Sequence, residues 1–366
     1  MTRLNIYCGQ VNSKGGSKIS LLHLIELFYH ENIKMNIYCG GKGWFTDQLE
    51  KKNINYSLVE EDQHLRYITK KSPMIKKAFY LIKSFISIIK NWAVFTRELS
   101  DKDTVVFNEP RDIILFFPAL FKQKVKKIVW VRAEKLNLLT KFLCNRANKV
   151  IAVSNIVKNN ISSKINKEPY VIYNFMTKKP LLTDRKNKDN IFKIGIIGTI
   201  QEIKGQLDGI KVLDMLQESG DFEIHLVGKI VEDNYFNKIT YEIKKRSLQQ
   251  KVKHINHIEN IPKYISENLD ILLIPSKTES FSRVAMEAFS VGVPVVAYRV
   301  GGLKEVVIHD KNGLLTTNNN VEELFKNVKI LYENEVKYNS LVQFAREDWE
   351  KRFYVKNVKK DLLKLL

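Results

Sequence analysis

Ile271-Leu272-Leu273-Ile274-Pro275-Ser276-Lys277-Thr278-Glu279-Ser280-Phe281-Ser282-Arg283-Val284-Ala285-Met286-Glu287-Ala288, followed after three residues by Gly292-Val293-Pro294-Val295-Val296-Ala297, is the stretch on which the reading of this chain turns. The apolar run Ile271 to Ile274 reads as a strand buried on both faces, the pattern of a parallel sheet. A short polar loop carrying Glu279 follows, then a helix start, with Glu287 eight residues after Glu279. The run from Gly292 to Ala297 reads as a turn and a second buried strand. Ligands of parallel α/β sheets sit beyond the carboxyl ends of the strands, so this loop lies where a ligand would bind. Two carboxylates there suit a hydroxyl-rich ligand, because each accepts hydrogen bonds from sugar or ribose hydroxyls and charged acceptors bind more strongly than neutral ones. Without a ligand, Glu279 is a solvated loop residue and Glu287 a charge favourable to the helix N-terminus.

Outward from this stretch the same alternation repeats. In the first half, strands are expected at 4–7, 35–38, 104–107, 127–131, 149–153 and 170–173, with helices at 19–29, 44–51 and 72–98. In the second half, strands are expected at 192–198, 222–227, 252–255, 271–275, 294–298 and 314–316, with helices at 205–218, 233–247, 261–268, 283–291 and 321–333. Strands alternating with helices imply parallel βαβ units, hence two Rossmann-like doubly wound domains in tandem. The polar, charged segment 177–190, with Pro180, is the expected boundary. The division is 1–176, 177–345, and a final helix within 346–366, centred on 349–366.

With 366 residues the chain is long enough for two cores. Its net charge of +20 is uneven: residues 1–176 hold 29 Lys and Arg against 14 Asp and Glu, and residues 177–366 hold 31 against 26. The first half therefore faces anionic partners such as a membrane surface, a lipid diphosphate or an acidic glycan. No nucleic-acid motif accompanies the charge, which argues against nucleic acid. Cys8, Cys39 and Cys144 are spaced as neither metal ligands nor a disulfide framework, so buried thiols in a reducing cytoplasm are expected. The chain begins directly in a strand, with no signal peptide expected. The apolar segment 78–95 is interrupted by Lys83, Lys90 and Asn91 and makes a poor transmembrane span.

The central stretch resembles the E-x7-E signature of the retaining glycosyltransferases with the GT-B fold, in particular the large family four. The resemblance continues through Gly301-Gly302, Glu305 and Gly313-Leu314-Leu315. It implies a GT-B architecture, two Rossmann-like domains facing a central cleft, with the C-terminal helix of 346–366 packing back on the first domain. A nucleotide-sugar, most readily a UDP- or GDP-sugar, would bind in the second domain and an acceptor in the first. It implies no metal and no cofactor beyond the nucleotide-sugar co-substrate. Glu287 would accept from the ribose hydroxyls, and Glu279 would hold the sugar hydroxyls, aided by backbone N–H groups around Ser280, Phe281 and Ser282. Ser282 stands where glycine is common in the family.

Two further elements carry the resemblance. The run Ile194-Gly195-Ile196-Ile197-Gly198-Thr199-Ile200-Gln201-Glu202-Ile203-Lys204-Gly205 is a strand, a glycine turn and a Lys-Gly at a helix start. A helix N-terminus beside a lysine makes an anion site. The run is similar to the family's diphosphate-holding element, with Thr199 where the family usually has arginine. Lys204 should then carry more of the diphosphate binding and stabilise it as it departs, supplemented by Arg283 or Lys277. Near the N-terminus, Ser13-Lys14-Gly15-Gly16-Ser17-Lys18 is similar to the loop that faces the donor phosphates, though paired glycines also make a plain flexible turn. After the strand at 127–131 many relatives carry a histidine. Here Arg132 and Glu134 stand in that region, and either is a candidate to contact the acceptor.

Lys76, Lys83, Lys90 and Arg97 recur every seven residues, nearly two helical turns, and so form one basic stripe. With Phe79, Ile82, Phe85, Ile86, Ile89 and Phe95 this reads either as a helix that lies on an anionic membrane or as a core-facing helix with a solvated basic face. Asp101-Lys102-Asp103 imitates a metal motif but reads as a solvated turn. The reading is a cytoplasmic, peripherally membrane-associated retaining glycosyltransferase of bacterial surface polysaccharide synthesis (lipopolysaccharide or capsule). Its rivals are a nucleotide-sugar epimerase or hydrolase, and a non-catalytic nucleotide-sugar-binding protein of the same fold.

Overall fold

The computed structural model describes residues 3–59, 74–181 and 190–366, and over 74–84 the backbone alone. The side chains of Lys76, Phe79, Ile82 and Lys83, and residues 182–189 of the expected boundary, lie outside that description. The chain forms two compact units. The first comprises Met1–Val153, Val157–Ile172 and Lys359–Leu366, and the second Ser154–Ile156 and Tyr173–Val358.

The first unit is built on strands β1 (Leu4–Cys8), β2 (Met35–Cys39), β3 (Ser57–Leu58), β4 (Thr104–Phe107), β5 (Lys126–Val131), β6 (Lys149–Ala152) and β7 (Tyr170–Val171). They form a parallel sheet in the order β3-β2-β1-β4-β5-β6-β7. Register is direct, with Leu4 to Cys8 of β1 opposite Met35 to Cys39 of β2. Cys8 and Cys39 thus end adjacent strands, and both are fully buried free thiols. Burial pushes the Cys8 thiol up to about 12 and raises those of Cys39 and Cys144 as well, which leaves all three protonated near neutrality.

The second unit is built on β8 (Phe192–Ile197), β9 (Phe222–Val227), β10 (Val252–Ile255), β11 (Ile271–Ile274), β12 (Val295–Tyr298) and β13 (Gly313–Thr316). The order is β10-β9-β8-β11-β12-β13, again parallel throughout. Strands β9, β11, β12 and β13 are buried along their whole length, as helices on both faces of a parallel sheet require. Both sheets are therefore doubly wound, as the alternation of elements implied. The chain reverses direction across the sheet between β1 and β4 in one unit and between β8 and β11 in the other. Those reversals are the topological switch points, where the loops after neighbouring strands part and leave room for a ligand.

Several expectations need correcting. The final segment is two helices, Glu335–Arg352 and Val355–Leu363, broken where buried Phe353 turns inward and Met176 bridges to Tyr354. Trp349 and Phe353 are buried in the second unit, so its share of the chain runs to Val358 and only Lys359–Leu366 groups with the first. There Lys359 pairs with Glu31 at 2.6 Å, and Lys149 donates to the Lys364 carbonyl at 3.0 Å. Asp103 is not solvated: it is buried, paired with Arg3 at 2.8 Å, and accepts the Ser100 N–H at 3.0 Å. On the helix Met74–Glu98, Phe95 enters the core, whereas Phe85, Ile86, Ile89 and Val94 are exposed beside exposed Lys90 and Arg97. Of the apolar residues that the two readings named and the structure describes, only Phe95 is buried. The helix Leu138–Arg146 was not expected. Its start was legible in Asn137, whose side chain caps it by accepting the Thr140 N–H at 2.7 Å.

Candidate active site

The second sheet places the loops after β8 and β11 side by side at its switch point. After β8, Gly198 donates its N–H to Val227 O at 2.8 Å, Thr199 is exposed, and a short 3-10 turn, Glu202–Lys204, leads to Gly205 and the helix Gln206–Leu216. Gly205 is required twice over. Its φ of 71° lies in the left-handed region, and a Cβ there would stand 1.9 Å from the Pro275 carbonyl oxygen. That close approach brings the Lys-Gly turn against the start of the β11 loop, and Lys277 N–H donates to Ile203 O at 2.9 Å to tie the two together.

The consequence is a pairing between residues 75 apart: Lys204 Nζ lies 2.5 Å from Glu279 Oε1. The Ser276 hydroxyl donates to the same oxygen at 3.1 Å. The side chains retain 26% and 12% exposure for Lys204 and Glu279, so both reach solvent at the end of the sheet. Lys277 pairs with Glu202 at 2.9 Å. Gly302 donates its N–H to the Glu279 carbonyl at 2.5 Å, and a Cβ on it would meet the Ser280 carbonyl oxygen at 2.2 Å. The Gly301-Gly302 turn is thus a backbone clamp on the carboxylate loop.

Ser282 caps the helix Arg283–Ser290, its hydroxyl accepting the Ala285 N–H at 3.4 Å. A serine here therefore closes the loop onto the helix rather than leaving it open. One turn on, Arg283 pairs with Glu287 at 3.0 Å. Burial pushes the Glu287 carboxyl up, and the Arg283 guanidinium opposes the shift. Phe281 is buried, with its ring 5.8 Å from those of Tyr173 and Phe353. The Ser280 carbonyl accepts from the Ser154 hydroxyl at 2.7 Å. Phe281 and Ser282 therefore serve the loop's shape through their side chains and retain only backbone N–H groups for a ligand. Glu305, part of the sequence pattern, accepts the backbone N–H groups of Asn155 and Ile156 at 2.7 and 2.6 Å and the Tyr173 hydroxyl at 3.0 Å, which is a structural task.

The first unit has its own cluster at the switch point of its sheet. Gly15 precedes the helix Gly16–His30, which has no side-chain cap and no acidic residue in its first turn. Lys18, almost fully buried, pairs with Glu109 at 3.1 Å, and the Ser17 hydroxyl donates to Glu109 at 2.7 Å. Burial raises the Glu109 carboxyl, but Lys18 and Ser17 together with Arg132 hold it below its ordinary value. Asp112, buried and pushed up to about 7, accepts the N–H groups of Asn108 and Glu109 at 2.7 and 2.9 Å and fixes the turn after β4. Arg132 donates to the Asn108 side chain at 2.7 Å and stands 5.2 Å over the Trp130 ring, with Glu134 two residues on. Sequence reasoning singled out Arg132 and Glu134 but missed Glu109, Lys18 and Ser276. The available signal was position: Glu109 lies two residues after the end of β4 and Ser276 two after the end of β11.

Comparison with known proteins bears on the fold. Residues 181–348 match the family model of the glycosyl transferases group 1. An uncharacterized glycosyltransferase of Methanocaldococcus jannaschii is 26% identical over 355 residues, covering 86% of this chain and 92% of the relative. Among solved structures, HepE of Anabaena in complex with UDP and glucose superimposes with a TM-score of 0.82 at 20% identity, covering 100% of this chain and 99% of that one. TarM of S. aureus, in a complex that contains UDP, gives 0.81 at 14% identity, covering 100% and 99%. These structures share the GT-B fold with this chain, two Rossmann-like domains.

Proposed function

We propose that this protein is a retaining glycosyltransferase that moves a sugar from a nucleotide-sugar to a glycan or lipid-linked acceptor in surface polysaccharide synthesis. The observation that carries the reading is Lys204 beside Glu279 at the switch point of the second sheet. An ammonium and a carboxylate within hydrogen-bond reach fit the two ends of a sugar diphosphate bond. Glu279 accepts from the sugar hydroxyls and Lys204 takes the diphosphate, with Glu287 on the ribose and Arg283 beside it. The Thr199 N–H and those from Ser280 to Ser282, with the close backbone approach that Gly198 permits, complete the donor contacts. In the first unit, Gly15 and Gly16 stand at an uncapped helix start, which suits an anion. In the transfer the bond from the anomeric carbon to the β-phosphate oxygen breaks and its electron pair stays on the phosphate. The acceptor oxygen bonds to the anomeric carbon, and its proton passes to the departing diphosphate oxygen. Lys204 meets the charge that develops on the leaving group, without a metal, and such preorganised electrostatics is usually the largest single contribution to catalysis. The donor is a UDP- or GDP-sugar, UDP being supported by the complexes of HepE and TarM. Arg132 and Glu134 bind the acceptor in the first unit.

The reading includes a peripheral membrane location. Among the described residues no helix is long and apolar enough to cross a membrane. The exposed Phe85, Ile86 and Ile89 beside Lys90, and Leu138, Leu139 and Phe142 beside Lys141 and Arg146, supply apolar and cationic groups together. The deciding experiment is a screen of nucleotide-sugars for transfer to candidate acceptors, with the product linkage read by NMR and EDTA present in a parallel series. Transfer with retention, insensitive to EDTA, supports the proposal. Inversion refutes the mechanism, and donor consumption without any acceptor makes the protein a hydrolase or epimerase.

A further inference from the structure

The carboxylate assigned to the sugar and the cation assigned to the diphosphate are each other's partners. Glu279 is fixed there by its own loop: Ser276, 2% exposed, donates to the carboxylate oxygen that faces Lys204, and Gly302 holds the Glu279 carbonyl. The neighbouring cations are engaged too, Lys277 with Glu202 and Arg283 with Glu287. A diphosphate that takes Lys204 must compete with Glu279 for it, and meets a fixed negative charge within a few ångströms. Like charges so placed near a protein surface repel appreciably.

We propose that Glu279 sets a preference for the sugar-bearing nucleoside diphosphate over the free one, and so drives the diphosphate product out after transfer. This rests on the glycosyltransferase reading. Two differences between the ligands produce the preference. The sugar ester has no terminal phosphate monoester, whereas the free diphosphate gains a further negative charge from one, whose second ionisation lies near pH 6. The sugar also brings hydroxyl donors to Glu279, replacing the hydrogen bond that the carboxylate loses when Lys204 turns to the phosphates. The free diphosphate brings none, which leaves a partly buried carboxylate underpaired beside a more negative neighbour. Glu279 is thus a specificity-determining residue, and Ser276 a positioning residue that keeps it in place.

Calorimetric titration of wild type, Glu279→Gln and Ser276→Ala with UDP, GDP and ADP, and with the glucose esters of the same diphosphates, tests this. For the base that binds, Glu279→Gln is expected to bind the free diphosphate about tenfold more tightly than wild type. Ser276→Ala is expected to move the same way by less. The comparison with free diphosphate does not depend on which sugar the enzyme transfers. Unchanged or weaker binding of free diphosphate by Glu279→Gln overturns the inference and leaves the donor reading in place. If the wild type binds no nucleotide at all, the donor reading falls and the inference with it.

Discussion

At the residue scale, the site is an arrangement of charges whose partners define their roles. Lys204→Ala removes the cation paired with Glu279 and, on the proposed reading, the group that meets leaving-group charge. Turnover is expected to fall by about 100-fold or more, in keeping with the loss of one preorganised charge-stabilising contact. The unfolding midpoint should stay close to wild type, because the pair is partly exposed and such pairs contribute little to stability. Glu279→Ala should impair transfer more than nucleotide binding, which steady-state kinetics and titration separate. Phe281 belongs to a different class. Its ring is buried against Tyr173 and Phe353, so Phe281→Ala should cost about 3 kcal/mol in denaturant unfolding through the cavity it leaves. A Phe281 variant with wild-type stability would show that the aromatic cluster does not hold the loop.

At the scale of elements, two features matter: the approach of the β8 and β11 loops, and a buried polar network on β9. Gly205→Ala places a Cβ against the Pro275 carbonyl and demands a left-handed backbone of alanine. The expected result is a loss of about 1–3 kcal/mol in stability together with weaker nucleotide binding, since the loops must part. On β9, His225 hydrogen-bonds to Glu223 and, at 2.6 Å, to the Tyr264 hydroxyl, while Lys253 pairs with Glu223 at 2.8 Å. Burial holds the His225 imidazole below its usual value, although Glu223 opposes this. Above pH ~6.5 the ring is neutral in folded and unfolded chains alike. As the pH falls below that value the unfolded chain takes up a proton that the folded one resists, so stability is lost with acidification. Glu223, held below its ordinary value despite burial by Lys253 and His225, adds a loss in the same direction at lower pH. Thermal midpoints should therefore drop between pH 7 and pH 5, and His225→Gln should flatten that drop.

At the scale of the whole molecule, the charge asymmetry and the exposed apolar groups of the first unit lead to a test of location. Flotation with anionic vesicles should recover the wild-type protein. Phe85→Asp combined with Lys90→Glu should lower that recovery while donor consumption in solution is kept, and undiminished recovery would remove this face from the membrane. What the sequence determined by itself was the architecture: strands such as Ile271–Ile274 and Val295–Tyr298 declare themselves by apolar runs, and the helices between them fix two doubly wound sheets. Strand-end position singled out Glu279, and the helix start and the family resemblance Lys204 and Arg132, as candidates to contact a ligand. The helix starting at Leu138 and the break at Phe353 were not read, because one depends on a single capping side chain and the other on a contact with Met176. The partners of the charges belonged to the tertiary structure alone. Lys204 meets Glu279, 75 residues away, because the order β10-β9-β8-β11-β12-β13 sets β8 beside β11 and a glycine lets their loops touch. Periodicity reports which face of an element is buried, but not which distant loop lies against it, and here that contact determines what the charges can do.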